Sequence, residues 1–225
     1  MSYGQQGPTT PEGEFNALSF IVQQALLRMQ TVTLVKVVAV HGSGVVPVGT
    51  VDVQPLVNQM TGNRQSVPHG TVYGLPFFRL QGGANAIICD PQPGDIGMCG
   101  FASRDISAVK STKAAANPGS FRTFDYADGL YIGGFLGVAP TQYLKFDNTA
   151  GVTLVSTVKV TIQAPVIELD GATSVTINTP TLNLTPSGTT VVGASGGSLT
   201  VDGRSFLSHT HTGVQTGGGN TGGVN

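Results

Sequence analysis

An apolar stripe runs through the last third of this chain. Between residues 151 and 207, apolar side chains recur at every second position in short runs: Val152 and Leu154, then Val158, Val160 and Ile162, then Val175 and Ile177, Leu182 and Leu184, Leu199 and Val201. The intervening positions are mostly Thr, Ser, Asn or Lys, and each run stops at Gly, Pro or Asn. A period of two with many β-branched residues is a strand pattern. The units TSVTIN, PTLNLT and GSLTVD read as rungs of a β-solenoid. One chain of such rungs has nothing against which to bury its stripe. At about 25 cal/mol per Å² of apolar surface, two or three apolar residues per rung do not offset ordering costs of about 1–2 kcal/mol per residue. Three identical chains wound around one axis would close each rung into a dry triangular core. The stripe therefore predicts an intertwined trimeric β-helix, an obligate homotrimer. Its sheet edges would be covered by successive turns.

Beyond the last rung lies Ser208-His209-Thr210-His211-Thr212, followed by Gly, Thr, Asn and Gln. In an extended strand His209 and His211 point to the same side. Two imidazoles are too few for a first-row metal, which takes four to six ligands. The nearest carboxylate in sequence is Asp202, and no Cys is close. An isolated pair on a polar strand would simply be solvated. In a homotrimer, however, the pairs converge as six neutral nitrogens, an octahedral set suited to Fe(II), Co or Ni rather than to tetrahedral zinc or oxygen-bound calcium. The prism upstream and the small residues around the pair favour this metal reading. With every position taken by protein, the ion would be structural, leaving no open site for a substrate or water.

The bulk composition agrees with such a chain. Only 10% of the 225 residues are charged, against about a quarter in ordinary domains, and the formal net charge is −1. Near-neutrality argues against nucleic acid as the main partner. Cys89 and Cys99 are expected to be reduced, partly buried thiols. No apolar run approaches the roughly 20 residues of a membrane span, and residues 1–11 lack a secretory signal pattern.

Residues 1–14 read as a flexible arm. Residues 15–30 place Phe15, Leu18, Ile21/Val22, Ala25/Leu26 and Met29 at helical spacing, predicting an amphipathic helix that packs on its own domain or a neighbouring subunit. Strands are expected at 31–40, 50–57, 71–80, 85–90, 95–101 and 124–136, separated by Gly, Pro and Asn turns. Five or six short strands suit a small barrel such as an OB-type fold. Lys36, Arg64, Arg79, Arg104, Lys110, Lys113 and Arg122 are scattered and offset by acids, so a docking barrel is preferred over an oligonucleotide-binding groove. Asp90, Asp95 and Asp105 are expected to be turn and surface carboxylates rather than a catalytic set. His41 and His69 are expected to be solvated or hydrogen-bonded loop residues.

The segment SHTHTGVQTGGGNTGGV (208–224), with the Thr/Val rungs before it and a barrel containing VDVQPLV and PGDIGMCGF, resembles the central spike proteins of contractile phage tails, the baseplate membrane-piercing needles. The likeness runs from about residue 15 to the end and is most specific at the tip. It implies an all-β chain with four parts: an arm (1–14), a helix plus OB-fold docking domain (15–145), a trimeric β-helix shaft (146–205) and a metal-binding apex (206–225). In that family the spike is a homotrimer docked on tail hub and baseplate proteins through its OB domains. One iron ion lies on the three-fold axis, and His209 and His211 of each chain would be its ligands.

The implied role is mechanical rather than enzymatic. The spike would sit at the virion's tail tip and meet the host outer membrane transiently, with neither a nucleic-acid partner nor a small-molecule substrate. Two other readings remain open: the spike of a secretion system or phage-tail-like bacteriocin, and a trimeric glycan-binding adhesin. The adhesin would need aromatic platforms, and residues 147–205 contain no Phe, Tyr or Trp. A hydrolase using the HxH pair would need an open coordination position and an added carboxylate ligand.

Overall fold

The computed structural model describes residues 14–61, 63–185, 187, 199–201 and 204–205. The chain is mainly β and divides into two units, residues 1–160 and 161–225.

The first unit opens with helix α1 (Glu14–Leu27), ending slightly before the expected span. Strands β1 (Val32–His41), β2 (Thr50–Pro55), β3 (Gln59–Met60), β4 (Ser66–Val67), β5 (Val72–Pro76), β6 (Leu80–Gly82), β7 (Asn85–Ile87), β8 (Ile96–Phe101) and β9 (Gly129–Ile132) follow. Five of them form one antiparallel sheet in the order β5-β2-β1-β8-β9. The sheet curls into a half-barrel. Just past β5, Phe77 bridges in parallel to Tyr131 of β9, and the Phe78 N–H donates to the Tyr131 carbonyl at 2.8 Å. The two edges of the sheet are thereby drawn together at one end. The pairs β3–β4 and β6–β7 are small hairpins outside this sheet.

Alternation in the sequence fills the interior. Val35 and Val37 of β1, Val51 and Val53 of β2, Leu75, Phe77, Cys99 and Tyr131 form a single buried cluster. On β8, Gly97 occupies an inward position because of what lies above it. A Cβ there would fall 2.5 Å from the Tyr131 ring, so only glycine admits that ring. The Tyr131 hydroxyl is buried without a hydrogen-bond partner, and burial pushes it up to about 12.

Two irregularities bend the sheet. The β1–β2 register slips between Val37 and Ala39, leaving Val38 unmatched. The β2–β5 register slips between Val51 and Val53, leaving an extra residue on β5 beside Gly74. Such bulges kink a strand and increase its twist. Both lie against Asp52.

The excursion from β8 to β9 contains α2 (Ser107–Thr112) and a 3₁₀ turn at Tyr126–Asp128. Neither was expected from the sequence. Each is too short to show an apolar period, and α2 stops at Lys113, whose φ of 55° lies in the left-handed region. Strands β10 (Tyr143–Asp147) and β11 (Gly151–Val155) form a hairpin. The Asp147 carboxylate accepts from the N–H groups of Thr149 and Ala150 in its turn.

In the second unit, β12 (Thr200–Val201) pairs with β13 (Arg204–Ser205). Residues 161–185 form no strand. Their apolar positions stay exposed, as at Ile162, Val175, Ile177, Leu182 and Leu184.

Candidate functional site

His209 and His211 lie outside the described residues, so the structure gives no geometry for the apex. Among the described residues, no group of three or more His, Cys, Asp or Glu side chains could hold a metal ion.

Approaching the apex, the apolar stripe is bare. In the β10–β11 hairpin, Leu144 faces Leu154 and Phe146 faces Val152. Directly paired residues two apart share a face, so these four make one apolar surface. All four are exposed in the single chain, Phe146 at 74%. On the other face lies Lys145, paired to Asp147 at 2.9 Å.

Three ionic clusters brace the half-barrel. The Asp52 carboxylate accepts from the Gly74 N–H at 2.9 Å and contacts His41 Nε2 at 2.8 Å. The His41 hydrogen bond is the main cause holding Asp52 below the usual carboxylate range, with Gly74 adding to it. Arg79 and Asp90 form a pair whose side chains are 3% and 6% exposed, at 2.7 Å. Arg79 also donates to the Val46 carbonyl, and Asp90 accepts from the Gly44 N–H. The pair thus ties the β1–β2 loop to the segment after β7. Burial alone would raise Asp90, but the Gly44 and Arg79 bonds outweigh it and the net shift is downward.

In the third cluster, Arg122 reaches Asp105 at 2.8 Å and Asp128 at 2.7 Å. Hydrogen bonds from Ser107 and Ser120 hold Asp105 down at about 2. Arg122 does the same in direction for fully buried Asp128. This cluster closes the β8–β9 excursion, since Asp128 also accepts from the Ile106 N–H.

These findings revise several readings. Asp90 and Asp105 are buried ion-pair members rather than surface carboxylates, because each has a guanidinium that compensates its desolvation. Asp95 is a turn residue that accepts from the Gln92 N–H. The three are not gathered into one site. His41 ends a strand and binds Asp52; His69 packs against Tyr126 with ring centroids 5.3 Å apart. The thiols are free but unequal. Cys89 is exposed, whereas Cys99 is fully buried and desolvation pushes it up to about 12. The bracing role of Asp52 carried no sequence signal, since its partners lie on other strands.

The chain ends in a segment that belongs to the vocabulary of phage tail spikes: residues 206–223 match the family model of an apex motif. That model is the GpV Apex motif, and the match encloses both His209 and His211. It points to the apex of a phage tail spike, and with it to a place in the virion tail. No curated protein matches the chain. No described helix is long and apolar enough to cross a membrane.

Proposed function

We propose that the chain is the membrane-piercing spike at the tip of a contractile phage tail, working as a homotrimer. The apex-motif match at residues 206–223 carries the reading. The exposed stripe supports three-fold assembly independently. The β10–β11 face and the residues 161–185 leave apolar side chains in water that an intertwined shaft would bury. The absence of strands in 161–185 has the same reading, because rungs of such a shaft hydrogen-bond to the other two chains.

The half-barrel is read as an OB-type domain. Its strand order and the parallel Phe77–Tyr131 bridge match a five-stranded, partly open barrel. This domain would dock on tail hub and baseplate proteins, and its buried ion pairs would keep the loops fixed under load. At the apex, His209 and His211 of each chain would bind one iron ion on the axis. The donor set fits: neutral imidazoles in pairs, small residues around them, and no carboxylate nearby. The ion would cross-link three chain ends that otherwise fray.

The work is mechanical rather than catalytic. Sheath contraction would drive the trimer through the host outer membrane, the narrow apex concentrating the force. Unfolding one chain would require breaking contacts with the other two.

Light scattering with metal analysis on the same sample tests this. A trimer carrying one iron is expected, and the double variant His209→Ala/His211→Ala should lose the iron. A monomer would overturn the reading, and iron retained by the double variant would overturn the apex assignment alone.

A further inference from the structure

Two surfaces of the first unit are apolar and uncovered among the described residues. One is α1. Every side chain from Phe15 to Leu27 is exposed except Ser19, which is half-buried. Phe15, Leu18, Ile21, Val22 and Leu26 are 56–82% exposed. A helix of 14 residues is marginal in water without a surface to pack on. No charged residue lies between Phe15 and Leu27.

The other surface is a groove of about 650 Å³ between the β6–β7 hairpin and the segment after β9. Phe78, Leu80, Ile87, Ile132, Phe135 and Leu136 line it, each 40–75% exposed. It exists because β9 is apolar on both faces. Tyr131 points into the core while Ile132 points out, and the Phe77–Tyr131 bridge sets Phe78 beside Ile132. Sheets apolar on both faces are covered on both.

We propose that α1 of one copy of the chain docks in this groove on a neighbouring copy. The inference rests on the trimeric reading above. Charge and tether both favour a second copy over the chain's own helix. Asp95 lines the groove, and Arg28 follows α1 directly; neither is in a salt bridge among the described residues. A docked helix can bring the two together. The chain's own helix is poorly placed to do so. The Thr31 carbonyl accepts from the Phe101 N–H, which anchors the tether at the end of β8 away from Ile96 and Asp95. That end is about 17 Å distant along the strand. A neighbour's helix enters without this restraint.

Cys89 lines the groove and is exposed, while Cys99 is buried, so a native thiol reports on the seat. A chain carrying Ile21→Cys and Cys89→Ser under one tag is co-expressed with a native-cysteine chain under a second tag. The assembly is then treated with a short bismaleimide. The expected product is a covalent pair bearing both tags. Leu136→Asp in the second chain should abolish it; Leu136 is 75% exposed, so the fold tolerates the change. Asp95→Arg should reduce the yield several-fold, and Arg28→Asp in the partner should restore it.

A product joining only two Ile21→Cys chains would mean that the helices pack on one another, and would overturn the proposal. So would bridging within one chain in a separate variant that carries Ile21→Cys together with the native Cys89. Light scattering on the same sample separates the failures. A trimer without the cross-link overturns this docking alone, whereas a monomer overturns the trimeric reading with it.

Discussion

The Asp52 carboxylate accepts a hydrogen bond from the Gly74 N–H at 2.9 Å, joining the two strands at the point where the sheet bends. Gly74 has a φ of +67° and sits by the extra residue on β5. Asp52 also pairs with Ala39 beside the β1 bulge, and its second oxygen meets His41 at the end of that strand. One carboxylate therefore holds both irregularities that curl the half-barrel. Asp52→Ala would leave the Gly74 N–H and the His41 ring without this partner. A loss of about 1–3 kcal/mol is expected, read as a lower midpoint in denaturant unfolding. Asp52→Asn, which keeps one acceptor, should lose less. Equal stability of the Ala variant and the native protein would show that the bulges are held by other contacts.

Tyr131 and Gly97 make an opposed pair of tests. Gly97→Ala drives a methyl group into the Tyr131 ring, and overpacking of this kind costs about 1–3 kcal/mol. Tyr131→Phe removes a buried hydroxyl that has no partner and should be neutral or stabilising within about 1 kcal/mol. Thermal melts of the two variants should move in opposite directions or leave Tyr131→Phe unmoved. A marked loss in Tyr131→Phe would mean that the hydroxyl is hydrogen-bonded after all.

Acid should loosen the β8–β9 excursion. Asp105 is held at about 2, against 3.8 for the free side chain, and Asp128 is also depressed. The unfolded chain then binds more protons than the folded one, so their stabilisation is present above roughly pH 4 and is lost as pH falls toward 2. Arg122→Gln removes the guanidinium that both carboxylates share. The variant should begin to unfold at a higher pH than the native protein in an acid titration followed by circular dichroism. Superimposable titrations would contradict the assigned cluster.

The proposed shaft can be probed without touching the apex. Ile177 is 61% exposed in the single chain, where an Asp would cost almost nothing. In a three-fold shaft the same substitution places three carboxylates in a dry core, where unpaired charge is strongly disfavoured. Ile177→Asp should therefore abolish or severely weaken the trimer in sedimentation velocity, while Thr176→Asp, one position along on the opposite face, should not. Equal behaviour of the two variants would argue against a buried stripe.

Elements with a local cause can be read along the chain. Period-two alternation is written residue by residue, so β1, β2, β5, β8 and β9 were legible, as was α1; the alternation over 158–184 was equally visible, but residues 161–185 form no strand in the single chain. Gly97, Gly74 and Cys99 showed their identities but not their jobs. The His209–His211 pair was equally visible as a motif, inside the segment that matches the GpV Apex model. That Asp52 clamps two bulges, that Arg79 and Asp90 are a buried pair, and that Arg122 serves both Asp105 and Asp128 emerges only in three dimensions. Those partners lie 6 to 33 positions apart in the chain, with no periodicity connecting them. Their meeting depends on how far the sheet curls, which the sum of its bulges and pairings fixes and no single stretch of sequence can.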